Sequence, residues 1–124
     1  STSIIQRWGT PNSYMLQLTT TASCAQKTLR GIVYLSISTW GALCNLTPIP
    51  LNEWHLLTAT YDGVTEKMYY NGVLSGSQAA SGPINNGNQA LLLGPGFRGL
   101  IDEVRVYNRA LTAAEVAQLY AGQQ

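Results

Sequence analysis

Residues 54–72 read Trp-His-Leu-Leu-Thr-Ala-Thr-Tyr-Asp-Gly-Val-Thr-Glu-Lys-Met-Tyr-Tyr-Asn-Gly. Within them, 54–61 and 66–71 are rich in Thr, Tyr and aliphatic residues, whose branched or flat side chains fit a pleated surface. Asp62-Gly63 separates the two runs and Asn71-Gly72 follows the second. Both dipeptides tolerate the positive φ of tight turns, so the stretch predicts one antiparallel hairpin and the start of another.

The chain on either side has the same texture. Residues 3–8 (Ser-Ile-Ile-Gln-Arg-Trp) are strand-like and end at a turn-forming run, Gly9-Thr10-Pro11-Asn12-Ser13. Over 14–20, Tyr14, Leu16 and Leu18 alternate with Met15, Gln17 and Thr19, the period of a half-buried strand. Residues 31–38 supply its hairpin partner. Pro48 and Pro50 lack a ladder N–H, which makes 45–52 a crossover loop. Further strands are expected at 88–94 and 99–107, on either side of Gly94-Pro95-Gly96. A helix is expected only at the end. There Thr112 and Glu115 have capping-box spacing, Leu111 and Val116 form a hydrophobic staple, and Gly122 suits the stop. Closely spaced strands without intervening helices predict an all-β antiparallel sandwich with a short C-terminal helix.

At 124 residues the chain fits one domain, 1–124. Seven Lys and Arg against six Asp and Glu give a net charge of +1, so no electrostatic footprint for nucleic acid is present. No apolar run approaches the ~20 residues of a membrane-spanning helix, which argues against membrane insertion. Cys24 and Cys44 lie at the outer ends of what reads as an antiparallel hairpin. Paired, they would close a loop worth about 3 kcal/mol and imply an oxidising, extracellular or cell-surface location; unpaired, they are two ordinary thiols. Without CxxC or a Cys/His cluster, zinc is disfavoured. Asn45-Leu46-Thr47 is a formal N-glycosylation sequon. Ser1 at the start is consistent with a mature or excised piece.

Three segments, Asn52 to Gly63, Lys67 to Gly72, and Phe97 to Thr112, together resemble the concanavalin A-like lectin/glucanase superfamily, in its laminin G-like, pentraxin-related branch. The resemblance implies a concanavalin A-like jelly roll in which Trp54 anchors the core. It also implies an opening strand, lying near the last one, that has no counterpart before Ile4. The expected consequence is an open sheet edge, answered by a homo-oligomer, a complementing chain or a reduced sandwich.

The family hosts lectins, adhesion domains and glycosidases, so residues must discriminate. Glycoside hydrolysis needs two carboxylates across the scissile bond. Here Asp62 belongs to a turn, Glu115 to the helix cap, and Asp102 and Glu103 are neighbours pointing to opposite faces. The Glu-x-Asp-x-x-Glu run of sandwich glycosidases is absent. His55, the sole histidine, is read as structural, and Arg105 and Arg109 as exposed or ion-paired. No enzyme activity is expected.

Sugar binding needs aromatic faces beside amides. Trp40, Trp8 and Tyr34 with Arg7, Asn12 and Gln17 are the best candidate set, although Trp8 and Tyr34 equally suit a core. No cofactor is required. Calcium, which related domains often bind, would draw on Asp62, Asn71 and Asn12. The reading is an extracellular binding module for carbohydrate or glycoprotein, with a protein-interaction domain lacking a sugar site as the alternative and a hydrolase remnant behind both.

Overall fold

The Asn-Gly turn does what its sequence demands. In the computed structural model, Asn71 and Gly72 have φ of 49° and 80°. They form the two-residue connection between β6 (Thr65–Tyr70) and β7 (Val73–Ala79), with Tyr70 opposite Val73. Structure is described for residues 2–8, 13–20, 24, 29–35, 41–85 and 88–122. The remaining strands are β1 (Thr2–Arg7), β2 (Tyr14–Thr19), β3 (Arg30–Leu35), β4 (Gly41–Cys44), β5 (Leu57–Tyr61) and β8 (Leu92–Leu93), and α1 covers Ala113–Gly122.

One antiparallel sheet has the order β4-β3-β2-β1-β8 and the other β5-β6-β7. The alternation read at 14–20 fixes the inner face of the larger sheet. Tyr14 and Leu16 lie opposite Leu35 and Val33, and all four join Leu43 against Met68 and Ala80 of the second layer. Cys24 and Cys44 are disulfide-bonded. The smaller sheet is covered on its outer side by the helix: Tyr69, next to inward-facing Met68, is buried with Leu111 and Val116.

The helix start follows its capping box. Glu115 N–H donates to Thr112 Oγ1 at 3.2 Å, and Thr112 N–H donates to Glu115 Oε1 at 3.0 Å. Arg109 grips the same carboxylate with both guanidinium nitrogens, and this, with the Thr112 N–H, lowers the Glu115 pKa to about 2.

Four expectations change. The 99–107 segment belongs to neither sheet, and Glu103 within it takes a left-handed φ of 52°. A lone strand has no ladder to stabilise it, and among the described residues none runs alongside. The 88–94 strand shrinks to Leu92–Leu93 for the same reason, since only Ile5 and Gln6 face it. Trp54 is 65% exposed rather than a core anchor. The sequon is concealed: Asn45 is 1% exposed, its Oδ1 accepts from Gly31 N–H at 2.6 Å, and its Nδ2 donates to the Thr47 carbonyl at 2.7 Å. One strand, β4, was not expected.

Glu66 is wholly buried on the inward face of β6. Its Oε2 accepts from Gln78 Nε2 at 2.7 Å, while Oε1 has no hydrogen-bond partner among the described residues. Desolvation raises its pKa, so the native state holds the proton more tightly than the unfolded chain. The stability this provides is complete below the ordinary carboxylate range and is lost as pH rises through the raised folded value. Glu66→Gln should therefore flatten that pH dependence and stabilise the fold by about 1 kcal/mol at pH 8, measured by urea denaturation. Glu115 has the opposite sign: its stabilisation is present at neutral pH and fades as pH falls toward 2. Thr112→Ala should cost about 1 kcal/mol, and Glu115→Gln should lower Tm at pH 7 but leave it near wild type at pH 2.

Candidate functional site

Strand parity divides the larger sheet into two chemistries. Met15 lies opposite Tyr34, Gln17 opposite Ile32 and Gln6 opposite Met15, so these side chains share the face turned away from the core. Trp8, just past β1, joins them: its ring meets Tyr34 edge-on, with centroids 6.2 Å apart and planes at 62°. Gln6, Trp8, Met15, Gln17 and Tyr34 are all half-buried. At the other end of the same face Thr19, Arg30 and Ile32 are buried, and Cys44, opposite Ile32, carries the disulfide there. What is left accessible is a shallow shelf of one indole, one phenol, one thioether and two amides.

One amide of the shelf is held by a hydrogen bond. Gln17 Nε2 donates to Ser3 Oγ at 3.0 Å, which fixes the amide across the β1–β2 pair. Of the six residues expected to bind sugar, the structure brings Trp8, Tyr34 and Gln17 together. Arg7 is sent to the opposite face, because it lies opposite core-facing Tyr14, and its Nε donates to the Gln89 carbonyl at 3.3 Å. Trp40 and Asn12 fall outside the described residues. With Arg7 turned away, the shelf residues named above are all uncharged. Aromatic edges and faces with neutral amides suit the C–H and hydroxyl groups of a neutral sugar better than an acidic ligand.

The calcium candidates do not converge. Asp62 Oδ1 accepts from Val64 N–H at 2.9 Å and Thr65 N–H at 2.7 Å, and these backbone bonds hold its carboxyl below the usual range. Asn71 Oδ1 accepts from Leu56 N–H at 2.9 Å. The two residues flank β6 at opposite ends, a separation of roughly 20 Å or more for a strand of that length. They cannot ligate one ion. Among the described residues no group of three or more His, Cys, Asp or Glu could hold a metal.

At the rim, His55 is pinned rather than poised. Its Nε2 lies 2.9 Å from the Pro50 carbonyl, which can only accept, so Nε2 carries the proton and Nδ1 accepts from the Tyr70 hydroxyl at 2.8 Å. The two rings also stack at 5.4 Å, and burial raises the Tyr70 pKa. With both nitrogens occupied, this histidine orients the 50–56 loop. Exposed Trp54 on that loop is the aromatic residue that sequence reasoning misplaced. A clue was available, since prolines at 48 and 50 carry the chain outside the sheets just before it.

A family-model match agrees with this architecture. The Laminin_G_3 family model, described as the concanavalin A-like lectin/glucanases superfamily, matches residues 1–117. A crystal structure of an S-layer domain-containing protein from Clostridium thermocellum is similar at 18% identity and a TM-score of 0.44, over 95% of this chain. The match spans 62% of that protein's crystallised chain. No curated protein matches. The described strands form two antiparallel layers and the family match covers nearly the whole sequence, so the chain belongs to the laminin G-like family of the concanavalin A-like lectin/glucanase superfamily.

Proposed function

We propose that this chain is a non-catalytic extracellular binding module whose shelf around Trp8 and Tyr34 takes a neutral glycan, free or on a glycoprotein. The observation that carries this reading is the aromatic pair on the outward sheet face, flanked by Gln6 and Gln17. Two crossed rings offer a sugar one stacking surface and one edge, and the amides can satisfy its hydroxyls. The carboxylates offer no hydrolytic pair there. Glu66 is enclosed between the layers, and Glu115 and Asp62 are committed to a helix cap and a turn. The disulfide fits an oxidising compartment. Binding in this reading requires no cofactor, calcium included.

A glycan array followed by calorimetric titration of the best hit tests the reading. Trp8→Ala and Tyr34→Ala should each weaken binding by about tenfold, the equivalent of one lost stacking contact. EDTA should leave the affinity unchanged. Failure of every neutral glycan, or wild-type affinity in both variants, would remove the shelf as the site and favour a protein-interaction domain.

A further inference from the structure

The 99–107 segment keeps the pattern of a strand without a sheet to lie in. Leu100 is 79% and Val106 59% exposed, and Val104 is exposed between them. These residues recur with even spacing, while Ile101, Glu103, Arg105 and Tyr107 occupy the odd positions. On the odd side Arg105 Nη2 donates to Glu103 Oε2 at 3.0 Å. The Glu103–Arg105 pair thus satisfies itself locally, whereas Leu100, Val104 and Val106, with Asp102 among them, face solvent. Glu103 at φ 52° breaks the extended run, a left-handed conformation that is strained for a non-glycine residue. A partner strand would relieve both conditions.

The geometry points to a second copy of this chain as that partner, with the two 99–107 segments paired antiparallel about a two-fold axis through Val104. Charge selects both the partner and the register. With Val104 opposite its own copy, Glu103 faces Arg105 of the second copy and Arg105 faces its Glu103, while Ile101 faces Tyr107. Shifting the axis to residue 103 sets Glu103 against itself, and shifting it to 105 sets Arg105 against itself; like charges directly opposite are destabilising. An isologous pairing requires such self-complementarity, and this segment has it. Asp102 falls opposite Val106, where its carboxylate can remain in water at the rim. Pairing would let Glu103 relax to extended φ and bring the backbone of a segment that joins neither sheet into a ladder. The inference does not depend on glycan binding.

Charge reversal with rescue tests it. Sedimentation velocity and light scattering should show a concentration-dependent dimer. Glu103→Arg alone and Arg105→Glu alone should each raise the dimer Kd by about tenfold, because each converts two attractive cross-strand pairs into repulsive ones. The double variant E103R/R105E should restore the wild-type Kd. Mixing the two single variants should yield a heterodimer, a result that a merely misfolded variant cannot give. Circular dichroism melts confirm that each variant is folded. A folded monomer up to the highest soluble concentration overturns the proposal and assigns the stripe to a different polypeptide. So does a dimer whose Kd is indifferent to both reversals.

Discussion

The carboxamide of Asn45 stands where the chain leaves one sheet for the other, and the relation between the two layers depends on it. Its backbone N–H donates to the Gly31 carbonyl at 3.0 Å while its side-chain oxygen takes the Gly31 N–H. Thr47 is fixed by the amide nitrogen. One residue later, Leu46 N–H reaches both the carbonyl and the hydroxyl of Ser75 on β7. The layers come so close here that a Cβ on Gly76 would lie 2.8 Å from the Cys44 carbonyl. A buried amide with both ends matched is stable, and the same amide with one end unmatched costs about 1–3 kcal/mol. Register between the sheets is therefore set by polar complementarity at one seam, and the apolar cluster of Val33, Leu35, Leu43 and Met68 fills the space that the seam defines.

The two layers dispose of their outer faces differently, and function follows from the difference. The three-stranded layer is sealed by the C-terminal helix, whose Tyr120 packs so tightly on the β6–β7 turn that a Cβ at Gly72 would lie 2.8 Å from it. Gly72 therefore answers two demands, a positive φ and a missing side chain. The five-stranded layer has no helix against its outer face among the described residues. One end is buried, the other is the aromatic and amide shelf, and recognition is left to the unsealed surface.

Local rules carried the sequence reading a long way. Asn71-Gly72, the alternation at Tyr14 to Thr19 and the Thr112–Glu115 box were each decided by neighbours within four residues, and each is present in the structure. What escaped depended on distant partners. The four residues of β4, Gly-Ala-Leu-Cys, form a strand because β3 lies beside them. The 99–107 run has better strand chemistry but no strand partner among the described residues and stays irregular. Trp54 was assigned inward by resemblance, although whether a loop residue is covered depends on what the fold lays over it. At the shelf, parity alone would have separated Arg7 from Trp8, since adjacent residues of a strand point to opposite faces. Grouping by sequence proximity concealed this. Nothing local announced that Asn45 would join Gly31, because that partner is a backbone group brought to it by topology.

Concealment of that asparagine sets a race whenever the chain is made in a glycosylating secretory pathway. The transferase acts on the extended nascent chain, in which Asn45-Leu46-Thr47 is as readable as any other sequon. Folding removes the acceptor by enclosing it. A glycan attached first would occupy the nitrogen that holds Thr47 and introduce a bulky hydrophilic group where the two layers meet. Occupancy at Asn45 would then record how quickly the layers close, and modified molecules would be those that missed the native seam.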